Sequence, residues 1–454
     1  MTKKNYFLGV MAAGMVLFTA CNKEDGIIDN GSPEADATAQ ELVLEIANAG
    51  DGLTTKAGRP LYAADAAQDI NNVEVVIRKK TENTVVYTKT ISDWGTESKE
   101  YNTSGKGRQY ILSLKGNDKI IEDGDYVVTA YGYSTGTDYD FAPTFTKGGT
   151  TAVDVTATLK AGKTDAEEVF AGEAALTIAD GKFTFTVGEN GVVVPLHRQV
   201  AGGFGYFTNI PASIGDKDAA SLRLVTRTKN TKVNFTDFNS DFTTTGTGAK
   251  YIVNGETAAT SDAKFDGSAD NDGNILYTIT LSDWFDNGDN GKLDANEDGF
   301  LTYSATTGAG DKWKHATGVN TAVVKGSVFA GKFMVPFELA AGKNTMELQL
   351  LAADGSILKT WGVKIAVDDM ATEKVTPEKS DESVSVFNVV RNHMYNLGVK
   401  TTHTPNPNPG TDPDVDPDPT PTDPDDQPED LSKGQDLILK VNANWEVIHK
   451  LELD

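Results

Sequence analysis

Tyr126-Val-Val-Thr-Ala-Tyr131 is the stretch that decides the fold class, because it is one of many short β-branched and aromatic runs bounded by turn residues. The comparable runs and turns are Val73-Glu-Val-Val-Ile77, Thr84-Val-Val-Tyr-Thr88, Phe183-Thr-Phe-Thr-Val187, Asn117-Asp118, Gly136-Thr-Asp138 and Asp180-Gly181. Such residues suit strands, and short strands at this spacing are typical of antiparallel β-sandwiches. Helical periodicity is sparse, so the sequence predicts an all-β fold.

A second series of strand-like runs follows the apolar segment Val192-Val-Val-Pro-Leu-His-Arg-Gln-Val-Ala201. Its members are residues 220–225, 275–281, 328–336, 344–352, 357–367 and 384–399. The apolar segment is suited to a strand that links two sheets. The sequence therefore predicts two β-sandwich domains in tandem, at 57–195 and 196–402.

The composition of the chain limits the classes of function. Its 454 residues are 39% hydrophobic, which supports domains with real cores, and 41 basic and 66 acidic residues give a formal charge of -25. This balance argues against nucleic-acid binding, because phosphate contacts need clustered Lys and Arg. Cys21 is the only cysteine, so no disulfide forms within the chain.

The N-terminal residues 1–20 have the layout of a signal peptide, with Lys3 and Lys4 before a short apolar run. That run is shorter than the roughly 20 residues that span a bilayer. Ala20 directly precedes Cys21, and this pair resembles a lipobox. In a lipobox the cysteine thiol is acylated, for example with palmitate, and cleavage leaves the cysteine as the first residue. The alternative is an ordinary signal peptide with an incidental cysteine. Residues 22–25, Asn-Lys-Glu-Asp, resemble the surface-export signal of Bacteroidetes lipoproteins.

A short alternating strand is predicted soon after this segment. Leu42, Leu44 and Ile46 fall on one face, because side chains alternate between the faces of a strand. Residues 26–40 before it read as a tether, and the Gly/Thr-rich residues 50–58 separate it from the rest of the chain.

Residues 403–430 form a predicted spacer. They hold nine of the 16 prolines and nine acidic residues, and they contain almost nothing apolar. Proline-rich sequence with charges of one sign forms an extended segment that does not pack. We therefore expect the spacer to separate the tail from its own domain.

The tail, residues 431–454, alternates with period two. The apolar positions are Leu437, Leu439, Val441, Ala443, Trp445, Val447, Leu451 and Leu453. A strand of this length would extend about 56 Å at ~3.3 Å per residue, so two strands in tandem are expected, bent near residues 442–444. The favoured interpretation is a donor strand that completes the sheet of a second molecule. The alternative is a strand that folds back on its own second domain, with the spacer as a long loop.

Several of these segments together resemble a known family. The lipobox at Cys21, Leu-His-Arg-Gln-Val-Ala at 196–201, Val390-Arg-Asn-His-Met-Tyr-Asn-Leu397 and the terminal residues 445–454 are similar to the fimbrillins of Bacteroidetes type V pili. The resemblance covers most of the chain in layout, but it reaches motif level only at these stretches.

The resemblance implies two transthyretin-like β-sandwich domains in tandem with a C-terminal donor-strand extension. It implies a lipoprotein precursor at the cell outer membrane, from which a surface protease removes the propeptide, residues 21–56, together with its strand. A strand from a neighbouring subunit then fills the groove and an extracellular fimbria grows. The implied partners are further fimbrial subunits and the anchor and tip fimbrial proteins, and no cofactor is implied.

The cleavage bond is expected in the Gly/Thr-rich interval after the first strand, which suits protease access. The basic residues there are Lys56 and Arg59, and Lys56 stands where the family's cleavage arginine aligns. Arg59 precedes Pro60, whose ring obstructs most trypsin-like sites. Lys56-Ala57 is therefore the favoured bond and Arg59 is the alternative.

Two patterns match catalytic or metal-binding motifs in letters. Gly132-Tyr-Ser-Thr-Gly136 matches a nucleophile elbow, but the residues after it are not helical, so a hairpin turn is the better interpretation. Asp294, Asn296 and Asp298 resemble half of a calcium loop, but Ala305 stands where a bidentate Glu belongs. An acidic surface loop is the favoured interpretation there, and no catalytic site is predicted.

The resemblance thus points to a structural shaft subunit of a fimbria that supports adhesion, and not to an enzyme. The alternatives are a tip or accessory adhesin of the same system, or a glycan-binding surface lipoprotein. A tip has no subunit beyond it to receive a donor strand, so residues 431–454 argue against the tip alternative. Glycan-binding proteins usually expose an aromatic platform, and the five tryptophans, at positions 94, 284, 313, 361 and 445, are dispersed along the sequence.

Overall fold

The computed structural model describes residues 40–46, 70–100, 108–151, 154–184, 192–236, 253–256, 274–303, 312–317, 319, 322–338, 344–366, 383–400, 426–433 and 436–442. All of them belong to one unit that begins at Gln40. They are nearly all in strands and turns, with a single-turn helix α1 (Trp94–Glu97) and 3₁₀ turns at Gly116–Asp118 and Leu281–Asp283. The all-β prediction is confirmed. Among these residues no helix has the length and apolar character needed to cross a membrane.

The strands of the first half are, in chain order, β1 (Gln40–Ile46), β2 (Asn72–Lys79), β3 (Val85–Ile91), β4 (Lys99–Glu100), β5 (Arg108–Leu114), β6 (Gly124–Tyr133), β7 (Tyr139–Ala142), β8 (Val155–Leu159), β9 (Phe170–Ala179), β10 (Lys182–Thr184), β11 (Val192–Pro195) and β12 (His197–Arg198). β2, β3 and β6 contain all or nearly all of the β-branched runs predicted at residues 73–77, 84–88 and 126–131, and β10 contains the first two residues of the run at 183–187.

The strands of the second half are β13 (Ala201–Thr208), β14 (Ile210–Pro211), β15 (Ser213–Ile214), β16 (Lys217–Thr226), β17 (Lys232–Phe235), β18 (Gly255–Glu256), β19 (Ile275–Thr280), β20 (Phe300–Leu301), β21 (Val328–Met334), β22 (Met346–Ala352), β23 (Ile357–Ala366), β24 (Ser383–Val384), β25 (Met394–Leu397), β26 (Val399–Lys400), β27 (Asp426–Gln427), β28 (Glu429–Asp430) and β29 (Leu437–Asn442).

Two sheets of the N-terminal part face each other across one hydrophobic core. The first has the order β11-β1-β5-β4 and the second the order β10-β9-β6-β2-β3. Alternate side chains of both point into the core, for example Leu44 from the first sheet and Val128 from the second. The period-two pattern of each strand therefore serves to bury one face of each sheet.

A third sheet, β18-β17-β8-β7, covers part of the outer face of the second sheet. Tyr131 and Ala171 from that outer face share a hydrophobic cluster with Val155 and Phe235 of the third sheet. β17 follows residue 196 in the chain, yet it pairs with β8, which precedes it. One strand thus crosses the boundary predicted between the two domains.

The C-terminal part is built around a large sheet of order β15-β16-β22-β23-β29-β25-β13-β21. β19 pairs with β16, β24 with β23 and β28 with β13 at its margins. A second hydrophobic core lies against this sheet and includes Trp284, Trp313 and Trp361, each of which is buried.

The two motifs of the family resemblance meet where the chain passes from one part to the other. Arg198 forms a buried ion pair with Glu168 at 2.8 Å and donates to the side-chain oxygen of Asn392 at 3.3 Å. Arg391 donates to the side-chain oxygen of Gln199 at 3.0 Å. Both guanidinium groups have hydrogen-bond partners inside the protein, which favours a structural role for these motifs.

A glycine permits the close approach of chain segments at this corner. A Cβ atom on Gly172 of β9 would lie 1.8 Å from the carbonyl oxygen of Pro195. Because glycine has no Cβ, the backbone can leave β11 and continue directly into β12, which pairs with β9. The chain thus passes from the first sheet to the second where Pro195 lies against Gly172.

Candidate functional site

β1 lies in the interior of its sheet, between β11 and β5. Residues 42–45 pair in parallel with residues 192–195, and all of Gln40–Ile46 pairs antiparallel with β5. Both edges of β1 are therefore hydrogen-bonded to other strands. We call the position that β1 occupies between β11 and β5 the N-terminal slot.

The inward face of β1 supplies part of the first core. Leu42, Leu44 and Ile46 have no exposed surface. This confirms the predicted alternation. Burying each such side chain contributes about 1.5–3 kcal/mol relative to exposure. An empty N-terminal slot would expose the apolar groove that these three side chains fill.

The side chain of Gln40 is buried at the start of the same face. Its Nε2 donates to the carbonyl oxygens of Ile120 and Gly181, at 2.7 and 3.1 Å. Its Oε1 accepts the backbone N–H of Ile120 at 2.8 Å. The N-terminal slot is thus apolar along most of its length but has a polar requirement at one end, because buried backbone groups need partners.

The outer face of the N-terminal slot carries an exposed apolar stripe. Val43 pairs with Ile111 of β5 on one side and Val193 of β11 on the other. Ile111 is 59% exposed and Val193 is 45% exposed, both high for large apolar side chains. The stripe is accessible from solvent while β1 is in place.

A second slot of similar design lies in the large C-terminal sheet. β29 occupies it, with residues 437–439 in parallel with 363–365 of β23 and residues 440–442 antiparallel with 394–396 of β25. Leu437 and Leu439 are each 1% exposed. We call this position the C-terminal slot. Each slot has one parallel and one antiparallel neighbour.

Residues 426–431, at the junction of the spacer and the tail, are fixed to the same sheet. Asp426 is buried, pairs with the ammonium group of Lys400, and accepts a hydrogen bond from the Tyr206 hydroxyl at 2.7 Å. Burial, together with the charge of Asp426, raises the pKa of Tyr206, so this hydroxyl stays a donor. Leu431 is fully buried beside β28.

This arrangement differs from the predicted separation of the tail from its own domain. Residues 426–430, assigned to the spacer 403–430, form β27 and β28, and residues 437–442 pair within their own chain. The physical reason is that β23 and β25 stand one strand apart and leave an apolar gap, which Leu437 and Leu439 fill. The remainder of the spacer, residues 403–425, lies outside the described residues.

Most of the predicted processing and donor residues also lie outside the described part of the chain. They are Cys21, Lys56, Ala57, Arg59, Ala443, Trp445, Val447, Leu451 and Leu453, together with the side chain of Val441. Sequence reasoning missed Gln40 and Asp426. The alternation of β1 extends back to Gln40, which was a usable signal, whereas Asp426 stands in an acidic run that shows no sign of burial.

The calcium-like loop is closed by hydrogen bonds from its own backbone N–H groups to the side chain of Asn296. Oδ1 of Asn296 accepts the N–H groups of Asp298 and Phe300, at 3.1 and 2.9 Å, and so closes a turn. Within the described ranges no group of three or more His, Cys, Asp or Glu side chains is placed to hold a metal ion. Gly132-Tyr-Ser-Thr-Gly136 runs from the end of β6 into a turn that leads to β7, so a strand follows where a nucleophile elbow needs a helix.

A cleft of about 370 Å³ lies between the outer face of β2 and β3 and the segment after β7. Half-buried rings of Tyr133, Phe141 and Phe145 line it, and the rings of Tyr133 and Phe141 are 4.6 Å apart. Glu74 accepts hydrogen bonds from the hydroxyls of Tyr133 and Thr90, at 3.1 and 2.9 Å. Burial and the charge of Glu74 raise the pKa of Tyr133 to about 12.

The four tryptophans in the described part of the chain take no part in this cleft. Trp94, Trp284, Trp313 and Trp361 are all buried, with at most 4% of their surface exposed. Among the described residues the rings that line the cleft are therefore those of tyrosine and phenylalanine.

No family model and no curated protein matches this chain. The solved structures similar to it include fimbrial proteins and adhesins of Bacteroidetes. A fimbrial assembly protein from Parabacteroides distasonis is 13% identical with a TM-score of 0.33, over 80% of this chain and 91% of that chain. The fimbrial anchor protein from Porphyromonas gingivalis is 8% identical with a TM-score of 0.31, over 79% and 90%. The tip fimbrial protein of that organism is 10% identical with a TM-score of 0.30, over 79% and 93%.

Proposed function

We propose that this chain is a structural shaft subunit of a cell-surface fimbria that polymerises by exchanging strands between copies. The observation that carries the proposal is the position of β1. A strand near the N-terminus, preceded by a lipobox-like sequence, occupies an interior slot whose two neighbours come from later in the chain. Its removal would leave two facing strand edges and an open apolar groove.

An empty N-terminal slot is an unstable state. The backbone groups that β1 pairs on β5 and β11 would lose their partners, and the groove that holds Leu42, Leu44 and Ile46 would meet water. Open strand edges of this kind readily accept a strand from another chain. Removal of β1 therefore favours association.

The proposed occupant is the tail of a second copy, residues 431–454. Its alternating apolar positions suit a groove of this type. In the single chain Leu437 and Leu439 rest in the C-terminal slot, which keeps their apolar surface away from water before assembly. Asp426 and Leu431 hold residues 426–433 in place on the donating subunit. The tail that a subunit donates therefore starts from a fixed point on that subunit. The division into two β-sandwich domains at 57–195 and 196–402 is part of this proposal.

Processing completes the scheme. Acylation of Cys21 holds the precursor at the cell outer membrane, with each buried CH₂ group contributing about 0.8 kcal/mol. Cleavage at Lys56-Ala57, with Arg59 as the alternative, removes the lipid and β1 together. Assembly then begins only at the surface, and the released subunits form an extracellular fimbria with its anchor and tip proteins.

N-terminal sequencing and electron microscopy of one preparation test the proposal. The purified precursor is expected to be monomeric, and limited proteolysis between residues 46 and 70 is expected to yield fibres that begin at Ala57 or Pro60. Fibres that retain Gln40–Ile46, or a cleaved protein that stays monomeric, would contradict it.

Glycan binding is a second candidate function, favoured by the cleft beside Glu74. Half-exposed aromatic faces attract the C–H faces of sugar rings, and a carboxylate accepts hydrogen bonds from sugar hydroxyls. Lys89 also lines the cleft, but its ammonium group already donates to the Tyr110 hydroxyl at 2.7 Å. The Glu74 carboxylate would repel an acidic sugar. A neutral saccharide therefore suits the cleft. Screening the full-length protein against a panel of neutral oligosaccharides tests this. Loss of a bound sugar in Tyr133→Ala but not in Tyr303→Ala, a half-buried tyrosine that does not line the cleft, would support the site.

A further inference from the structure

β1 and β29 lie in closely related stretches of sequence. Residues 40–46 read Gln-Glu-Leu-Val-Leu-Glu-Ile, and residues 435–441 read Gln-Asp-Leu-Ile-Leu-Lys-Val. Three of the seven positions are identical, and three more are conservative exchanges. Seven glutamines occur in the chain, at positions 40, 68, 109, 199, 349, 427 and 435. Only Gln40 and Gln435 are followed by leucine at the second and fourth positions and by isoleucine or valine at the sixth.

The shared glutamine has a definite task in the N-terminal slot. Gln40 is the side chain that satisfies both the N–H and the carbonyl oxygen of Ile120 and also reaches the carbonyl oxygen of Gly181. A strand that enters the empty slot without an amide at this place would bury those backbone groups unpaired. An unpaired buried donor or acceptor costs roughly 1–3 kcal/mol, which corresponds to about a fivefold to 150-fold loss of affinity.

We propose that residues 435–441 of a second copy enter the N-terminal slot in one register, with Gln435 in the place of Gln40. Leu437 and Leu439 then take the places of Leu42 and Leu44, and Val441 takes the place of Ile46. This inference rests on the proposed strand exchange and adds the register and the residue that selects it. Gln435 is a specificity-determining residue, because a shift by two residues would remove its amide from Ile120.

A competing register uses the end of the tail. His449, Leu451 and Leu453 also place a polar residue before two leucines at the same spacing. A neutral imidazole has one donor and one acceptor, so it cannot make the three hydrogen bonds that Gln40 makes. The amide of Gln435 can make all three. The polar end of the slot therefore favours residues 435–441.

The two slots also differ in how much of the strand they pair. β5 pairs with every residue of β1, and β11 pairs with residues 42–45. Among the described residues of the C-terminal slot, 437–439 pair with β23 and 440–442 pair with β25, so each has one paired neighbour where residues 42–45 have two. The same sequence would thus gain backbone pairing on moving into the N-terminal slot, which favours transfer to a second copy once β1 has left.

Thiol cross-linking tests the register. Ile438 would take the place of Val43, directly opposite Ile111, at a distance that a short thiol-specific cross-linker spans. The double variant Ile111→Cys/Ile438→Cys is made in a Cys21→Ser background, which removes the only native cysteine. After limited proteolysis it is expected to give a ladder of cross-linked multimers. Ile111→Cys/Glu452→Cys, which reports the competing register, is expected to give none.

Electron microscopy of the same samples separates the two levels of the proposal. Fibres with a ladder only from Glu452→Cys would overturn the register and leave strand exchange standing. Fibres with no ladder from either pair would also overturn it. A failure of every cleaved sample to form fibres would contradict the proposed function itself.

Gln435→Ala tests the amide directly, with Gln427→Ala as the matched control because Gln427 is an exposed glutamine of β27, shortly before the tail. Gln435→Ala is expected to weaken subunit association by roughly tenfold or more, since Ile120 loses its partners. Gln427→Ala is expected to assemble as the native protein does. Equal assembly by both variants would show that the amide does not select the register.

Discussion

Lys400 and Asp426 form an ion pair that is sealed inside the protein, with 1% and 3% of their side chains exposed. Lys400 lies on β26 and Asp426 begins β27, and these two short strands pair with each other. The Tyr206 hydroxyl, on β13, donates to the same carboxylate. An acidic residue from a segment that has the composition of a spacer is therefore the point where the tail is fixed to the large sheet.

Asp426→Ala is expected to destabilise the full-length precursor by about 3–5 kcal/mol, because the buried Lys400 ammonium group loses its counter-ion. Urea unfolding measures the effect. Asp218→Ala is the control, since Asp218 pairs with Lys292 at the surface, where the two side chains are 48% and 57% exposed. That change is expected to cost at most about 1 kcal/mol. Similar losses in the two variants would show that the Asp426 pair is not sealed from water.

Truncation after Lys433 is expected to lower the stability of the monomer, since it empties the C-terminal slot. Leu437 and Leu439 are buried against β23 and β25, and Leu439→Ala alone is expected to cost about 2–5 kcal/mol. Thermal unfolding of the truncated precursor measures this. A melting temperature equal to that of the full chain would show that the tail is independent of its own sheet in solution.

The sequence predicted the faces of the strands well but not their partners. The period-two patterns of Leu42–Ile46 and Leu437–Leu439 fixed which side chains are buried, because side-chain direction alternates with each residue. The same pattern fits any sheet with an open apolar gap. It does not distinguish a position in the chain's own sheet from a position in the sheet of a second molecule. For this reason both positions of the tail are open from the sequence, and the pairing of β29 with β23 and β25 comes from the structure.

The polar features were harder to predict for a different reason. Arg198 and Asn392 come together from distant parts of the chain, and their hydrogen bond depends on the fold around them. Asp426 lies among other acidic residues of similar local sequence, and its partners Lys400 and Tyr206 come from elsewhere in the chain. Composition describes the average environment of such a segment, whereas burial is decided by long-range contacts.

Gly172→Ala is expected to destabilise the protein by about 1–3 kcal/mol or more, because its Cβ would collide with the carbonyl oxygen of Pro195 at 1.8 Å. The oxygen is a backbone atom and the position of the Cβ is set by its own backbone, so neither can move without disturbing the corner between β11 and β12. Gly95→Ala in α1 is the matched control, since no atom lies within 4 Å of its added Cβ. Denaturant unfolding of both variants is the measurement, and equal stability would contradict the close approach.

Cys21→Ser is expected to abolish acylation and release the precursor from the membrane fraction. The physical reason is that the lipid chains, rather than a spanning segment, supply the proposed attachment. Labelling with a clickable palmitate analogue, followed by membrane fractionation, measures both effects. A serine variant that stays in the outer-membrane fraction would contradict the lipoprotein assignment.

Leu44→Ala separates the precursor from the mature fibre. Leu44 has no exposed surface in the N-terminal slot, so its truncation is expected to cost the precursor about 2–5 kcal/mol. The mature fibre is expected to be unaffected, because cleavage removes β1 and another strand takes its place. Val128→Ala is the matched control: this residue of β6 is equally buried in the same core but stays in the subunit, so it should weaken both forms. Thermal unfolding of precursor and fibre is the readout, and a fibre weakened by Leu44→Ala would mean that β1 is retained.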